Sequence, residues 1–252
     1  MSGRGIEKQI FNNNKKMSKE IKDEDLTTSP ACTKPPVVGS TVYLMDCVAG
    51  MKEYPDKWFD LALADPPYGI GVGEYHYLAF KGGKRASKGI RNKPKDWDNQ
   101  TPPLEYWLEL FRVSKNQIVW GANYYSNMLP VSRGWLTWDK KHPDNVSFSQ
   151  FELAWTSFDK ICKTFRMYPT HVAQGVKIHP TQKPIGLYDF ILKHYGKDVK
   201  SILDTHLGSQ SSRISADKAG LDFTGFEIDK DYFDAGEKRY QNYKSQLRIE
   251  GW

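Results

Sequence analysis

The chain has 252 residues, and its 36 Lys+Arg against 30 Asp+Glu leave a formal net charge of +6, which suits one domain of ordinary size with small appendages. With 39% hydrophobic and 26% charged residues it is neither collagenous, wholly disordered nor membrane-embedded, and no apolar run approaches the roughly 18 residues of a bilayer span. Three cysteines, Cys32, Cys47 and Cys162, are too few and too scattered for a disulfide framework or a CxxC zinc site.

Residues 1–36 are polar, mixed in charge and close on TSPACTKPP, a composition that buries too little apolar surface to fold alone, so they read as a disordered or tethering tail. The start shows no continuous apolar stretch and no small-residue cleavage site, so a cytoplasmic protein without membrane attachment is expected. Over 37–252 the pattern changes. Short runs rich in Val, Ile, Leu and Trp predict strands over Thr41–Met45, Phe59–Ala64, Gln117–Trp120, Trp135–Trp138, Phe151–Thr156, Ser201–Leu203 and Phe223–Phe226. Helical patterns fall between several of them: Pro103–Phe111, Ile185–Tyr195 stopped by Gly196, Ser212–Ala219 stopped by Gly220, and Tyr232–Arg248. Such alternation predicts an α/β fold with a mostly parallel sheet covered on both faces.

Charge is concentrated in one place. Lys81, Lys84, Arg85, Lys88, Arg91, Lys93 and Lys95 occur without an intervening Asp or Glu, interleaved with Gly82, Gly83 and Gly89. This basic loop, placed at 74–100, is either a footprint for a polyanion such as a phosphate backbone or a solvated loop with no partner.

Three segments carry chemistry. Asp65-Pro66-Pro67-Tyr68 directly follows the apolar run FDLALA, and ligands of doubly wound sheets sit beyond the carboxyl ends of strands. The carboxylate of Asp65 and the carbonyl of Pro66, its direction restricted by the two prolines, are acceptors; Tyr68 offers a flat face. The set suits an aromatic amine, although a Pro-rich turn ending in a buried Tyr fits the same residues. The second segment, SILDTHLGSQSS at 201–212, runs from a strand through Asp204 and Gly208 into a Ser-rich helix start. Its single Gly argues against a pyrophosphate cofactor, whereas a helix N-terminus can receive a carboxylate. Glu227 ends the next strand 23 positions on, near the spacing at which an acidic group meets ribose hydroxyls. In the third, HPTQKP at 179–184, Pro184 suits a helix entry, and Thr181 and Lys183 can meet an anionic carboxylate at the same mouth. There is no HxE with PCxxC, no GxxxxGK[ST] and no GxSxG, which argues against zinc deaminase, P-loop and serine hydrolase chemistry.

Read together, DPPY, HPTQKP and DTHLGSQSS, in that order over about residues 40–245, resemble the beta class of DNA amino-methyltransferases, in which the catalytic motif precedes the cofactor motif. The resemblance implies a Rossmann-like, S-adenosylmethionine-dependent methyltransferase fold with circularly permuted motif order, the Ser201–Leu203 strand central in space though late in the chain. It implies transfer to the N6 amine of an adenine flipped out of double-stranded DNA, with Asp65, Pro66 and Tyr68 catalytic. Cofactor contacts are expected from Asp46 and Cys47, matching the family's GDC element, and from Asp65, Thr181, Lys183, Asp204, His206, Gly208, Ser209 and Glu227. Nucleic acid is expected on Lys81, Lys84, Arg85, Lys88, Arg91 and Lys93 and, in a short target-recognition region at about 138–175, on Lys140, Lys141 and Arg166. No metal is implied. A restriction-modification or phage setting, a short or relaxed target sequence and a homodimer are compatible with the resemblance. Two features leave alternatives open. A leading Asp favours adenine over cytosine-N4, where Ser is more frequent. Thr205-His206 and Gln210 replace the family's Pro-Phe and second Gly, which leaves room for a catalytically silent nucleic-acid-binding module of the same fold.

Overall fold

The computed structural model describes residues 39–71, 95–145, 149–169 and 177–250, the side chains of 247–250 excepted. The expected tail at 1–36 and the basic positions Lys81, Lys84, Arg85, Lys88, Arg91 and Lys93 lie outside these residues. Among the described residues, eight strands form one sheet: β1 (Ser40–Leu44), β2 (Phe59–Ala64), β3 (Ser114–Trp120), β4 (Trp135–Asp139), β5 (Phe151–Thr156), β6 (Lys163–Arg166), β7 (Ser201–Asp204) and β8 (Asp222–Glu227), in the spatial order β1-β8-β7-β2-β3-β5-β4-β6. The helices are α1 (Cys47–Met51), α2 (Leu104–Val113), α3 (Ile185–Tyr195), α4 (Ser211–Lys218) and α5 (Lys230–Glu250).

Strand β2 shows how the sequence builds this layer. Successive side chains point to opposite faces, so Leu61 and Leu63 enter one core with Ile118, Ile202, Phe223 and the α3 residues Leu187 and Ile191. Ala62 and Ala64 enter the other, where Met51, Tyr106, Trp107 and Leu110 of α1 and α2 need the room that small residues leave. A strand covered on both faces reads as an unbroken apolar run, which is why FDLALA was legible.

Among the described residues, five of the seven strand pairings are parallel; β5 is antiparallel to both β3 and β4. The antiparallel part follows from connectivity, because no helix lies between β4 and β5 to carry the chain back across the sheet. β7 sits between β8 and β2, the central place expected for a strand so late in the chain. The predicted segments are recovered with shifts of a few residues. Two further elements escaped the sequence pattern: α1 is five residues long, and β6, KTFR, is an edge strand with one apolar residue. No described helix is long and apolar enough to cross a membrane.

Candidate active site

Strands β1, β8, β7 and β2 run parallel and end at one edge of the sheet, and each delivers an acidic residue there: Asp46, Glu227, Asp204 and Asp65. Register fixes their spacing. Asp204 pairs with Leu63 on one side and Gly225 on the other, so Asp65 and Glu227 each lie two residues past those partners and flank it. With strands about 4.8 Å apart, the two flanking carboxylates are separated by roughly two strand spacings.

On the β2 side, both oxygens of Asp65 are occupied. The Tyr68 hydroxyl donates to Oδ1 at 2.7 Å, and the Lys183 ammonium, arriving from the loop before α3, bonds Oδ2. Burial and the Asp65 charge push the Tyr68 phenol well up, so it stays a donor. The backbone of this loop is held from elsewhere: the N–H groups of Tyr68 and Gly69 donate to Asp98 Oδ1 at 2.6 and 3.1 Å, and the Tyr125 hydroxyl donates to the Pro66 carbonyl at 2.7 Å. One lone pair of that carbonyl therefore remains for a ligand. The Tyr68 ring lies against Gly121 and stacks on Tyr124 with centroids 5.0 Å apart and planes 16° off parallel; Tyr124 is 44% exposed.

Lys183 is almost wholly buried. Burial by itself would lower its pKa, but Asp65 and Glu152 outweigh this and raise it. The Lys183 carbonyl accepts the Ser211 hydroxyl at 2.8 Å, which ties the Asp65 cluster to the first turn of α4.

On the β7–β8 side, Glu227 uses Oε2 to accept the Gly208 N–H at 2.8 Å and Oε1 to accept the Asp229 N–H at 2.9 Å, and burial raises its pKa. Gly208 has φ +47°, a left-handed backbone that favours glycine. Asp204 is fully buried, accepting the Ser212 hydroxyl and, at 3.0 Å, the His206 N–H; burial pushes it up to about 7. The His206 Nδ1 is 2.9 Å from the Thr205 hydroxyl, itself 2.8 Å from the Tyr106 hydroxyl. Burial pulls the imidazole down to about 4, so it is neutral at neutral pH. Cys47 is pushed up to about 12 by burial and by Asp46, which makes it an inert thiol. Asp46 caps α1 by accepting the Ala49 N–H at 2.9 Å.

Of the sequence-derived residues, Asp65, Pro66, Tyr68 and Lys183 converge on one cluster, and Asp46, Cys47, His206, Gly208 and Glu227 line the neighbouring strand ends. Asp204 and Ser209 sit beneath the loop and shape it; Ser209 is buried with its hydroxyl 3.1 Å from that of Ser211. The Thr181 hydroxyl is 3.1 Å from His179 Nδ1. Among the basic residues, Lys95 bonds Asp229 at 2.6 Å, and Lys140 turns inward to Glu152 at 2.6 Å. Lys141 and Arg166 are exposed. Glu152, Asp98 and Tyr106 lie in no motif; a tyrosine pair one turn beyond the strand-ending Gly121 was the one available signal for Tyr124 and Tyr125. No group of three or more His, Cys, Asp or Glu among the described residues is arranged to hold a metal.

A mostly parallel sheet with a glycine turn after its central strand and an acidic residue at the end of each neighbouring strand defines the Rossmann-like class of nucleoside-cofactor enzymes. Within that class, the model of the N6_N4_Mtase family, described as DNA methylase, matches residues 73–238, two thirds of the sequence, and the chain belongs to this family of DNA methylases. The match begins eight residues past Asp65, so it covers the HPTQKP and cofactor-loop segments but not DPPY. The chain is 24% identical over 251 residues to the type II methyltransferase M2.MboI of Moraxella bovis, covering 83% of this chain and 90% of that one. It is 25% identical over 254 residues to M.HinfI of Haemophilus influenzae, covering 81% and 69%. In three dimensions it resembles the cytosine-N4-specific PvuII DNA methyltransferase, with a TM-score of 0.52, 13% identity and 82% and 89% coverage. It also resembles M1.HpyAVI in its complex with SAM, with a TM-score of 0.50, 16% identity and 79% and 98% coverage. At such identities these two likenesses concern the fold.

Proposed function

We propose that the protein transfers the methyl group of S-adenosylmethionine to the N6 amine of an adenine extruded from double-stranded DNA. The observation that carries the reading is the placement of Asp65 and the Pro66 carbonyl at the end of β2, beside the Gly208 turn that follows β7, with Glu227 on β8 just beyond. The donor set fits the cofactor: Glu227 suits ribose hydroxyls, Ile228 beside it is 67% exposed and suits the face of a purine, and Gly208, His206, Asp46 and Cys47 complete the wall. When bound, the cofactor supplies an electron-poor methyl carbon.

The chain's own residues address the other reactant. An adenine amine is a poor nucleophile because its lone pair is delocalised into the ring. Asp65 and the Pro66 carbonyl accept its two hydrogens, and this turns the lone pair outward along the line of transfer. Tyr125 fixes the carbonyl's direction, and Lys183 and Tyr68 hold the carboxylate as an acceptor. After transfer the amine is cationic, and the Asp65 carboxylate that accepted its hydrogen bond is the base that takes the departing proton. The target must leave the duplex, at a cost of a few kcal/mol, and the Tyr68–Tyr124 stack offers it an aromatic neighbour. Backbone contacts from the basic segment at 81–93, with Lys141 and Arg166, offset that cost. The same reading puts the protein in the cytoplasm with its DNA and includes a homodimer, which sedimentation of the free protein checks.

The test is to incubate the protein with labelled S-adenosylmethionine and duplex DNA, digest to nucleosides and identify the product. N6-methyladenine is expected, and Asp65→Ala is expected to abolish transfer while leaving calorimetric binding of S-adenosylmethionine intact. N4-methylcytosine would move the substrate to the other base of the same family. No heat with the cofactor would make the chain a silent binding module.

A further inference from the structure

Glu152 belongs to none of the motifs. It projects from β5, in the antiparallel part of the sheet, yet it reaches the Asp65 cluster. Its Oε1 pairs with Lys140 at 2.6 Å. Its Oε2 is buried and makes no hydrogen bond, although Lys183 Nζ is only 3.3 Å away. A buried carboxylate oxygen left without a donor is costly and calls for an explanation. The ammonium beside it is shared: it bonds Asp65 Oδ2, lies 3.4 Å from the Tyr68 hydroxyl, and ion-pairs with Glu152 Oε2 at 3.3 Å without the alignment of a full hydrogen bond.

This arrangement creates a conflict that the proposed reaction must resolve. Each Asp65 oxygen already accepts one donor, and although a lone pair remains on each, the Lys183 charge draws electron density from the carboxylate and weakens it as an acceptor for the target amine. Loosening that bond strengthens Asp65, but a buried ammonium cannot simply give up a partner. Glu152 Oε2 is a second acceptor within a small rotation of the same ammonium. The four charges alternate, Asp65 negative, Lys183 positive, Glu152 negative and Lys140 positive, and sum to zero, so a shift of Lys183 from one carboxylate toward the other leaves the cluster neutral.

We propose that Glu152 is a positioning residue for methyl transfer, the acceptor to which Lys183 hands its hydrogen bond when the target amine engages Asp65. The inference rests on the amine-methylation reading. Without Glu152, Lys183 stays clamped on Asp65, and the amine meets a weakened acceptor. Lys140 holds Glu152 from the far side and keeps Oε2 turned toward Lys183.

The experiment measures methyl transfer to duplex DNA by the wild-type chain, Glu152→Gln, Lys183→Met and the double variant, with calorimetric binding of S-adenosylmethionine as the check that each is folded. In Glu152→Gln, kcat is expected to fall by about ten- to a hundredfold, the scale on which a small misplacement of a reacting group acts, while KM and Kd for S-adenosylmethionine stay within about twofold of wild type. Because Glu152 acts through Lys183, the double variant is expected to be no slower than Lys183→Met alone. If the amide variant does not fold, Glu152→Asp serves instead, since it keeps the charge but withdraws the oxygen from Lys183; the same loss of kcat is expected. A wild-type kcat in the folded Glu152 variant, or losses that multiply in the double variant, overturns the inference and leaves the methylation reading standing. A wild-type chain that methylates no DNA overturns both.

Discussion

Asp204 is an acid held against its ordinary charge state by burial. Its carboxylate is fully buried and, although Ser212 and the His206 N–H donate to it, burial dominates and lifts it from 3.8 to about 7. Between those values the folded chain holds a proton that the unfolded chain releases, so this group's contribution to stability is present below pH 4 and is lost as pH rises through 7. His206, lowered from 6.5 to about 4, acts in the opposite sense over part of that range, because the unfolded chain takes up a proton that the folded one refuses. Asp204→Asn removes the first contribution and leaves the second. Melting temperatures are therefore expected to change in the variant's favour, relative to wild type, as pH is raised from 4 to 7, by an amount corresponding to roughly 2–4 kcal/mol at about 1.4 kcal/mol per pKa unit. A difference between the two proteins that is flat with pH would show that Asp204 titrates as an ordinary carboxylate. At this scale the sequence was informative wherever a residue acts beside its chain neighbours, as Asp65, Pro66 and Tyr68 do. It was silent on Glu152, whose partners come from other strands and loops.

The turn after β3 is the element on which the catalytic loop leans. Gly121 has φ +69°, and a Cβ there would run into the Tyr68 ring. A short 3-10 turn, Ala122–Tyr124, follows, and its last residue and the next serve the same loop: Tyr124 stacks on Tyr68 and Tyr125 fixes Pro66. Gly121→Ala meets both a left-handed backbone, which costs a side chain roughly 1–2 kcal/mol, and a collision with an aromatic ring pinned by Asp65. A loss of about 2 kcal/mol or more is expected from the denaturation midpoint, with methyl transfer falling further than stability alone explains. Unchanged activity would mean that the turn merely ends a strand. Elements were legible in proportion to how much apolar surface they bury. β2 announced itself through an apolar run and β3 through its buried second half, Gln117–Trp120, but β6 and α1 did not, because a four-residue edge strand and a five-residue helix borrow their stability from neighbours already in place.

For the whole molecule, the net charge of +6 understates the asymmetry that DNA would meet. Lys95 and Lys140 are neutralised within the fold by Asp229 and Glu152, and Arg166 pairs at its surface with Asp139, so the proposed DNA interface draws chiefly on the cations of the sequence at 81–93, with Lys141. Each phosphate contact contributes about 0.9 to the slope of log affinity against log salt concentration. Replacing Lys84, Arg85 and Lys88 together by Ala is thus expected to weaken duplex binding and to flatten that slope by up to about 2 to 3, while S-adenosylmethionine binding is unaffected. Equal slopes for the two proteins would take the segment out of the DNA interface.

The sequence by itself determined the α/β class and the contiguous motifs at 65–68, 179–184 and 204–212, because each of these is written in neighbours along the chain, as an apolar period, a proline or glycine at a turn, or an acid at a strand end; the central place of the Ser201–Leu203 strand came only from the family resemblance those motifs carry. Tertiary structure alone decided which side chains meet. Lys183 and Asp65 are 118 positions apart and come together through strand order and the loop before α3. That meeting places Lys183 in a buried ion pair, and it brings in Glu152 from an antiparallel strand that no motif marks. Pairing of this kind depends on sheet register and on the neutrality a buried charge demands, and neither quantity is a property of any local stretch of residues.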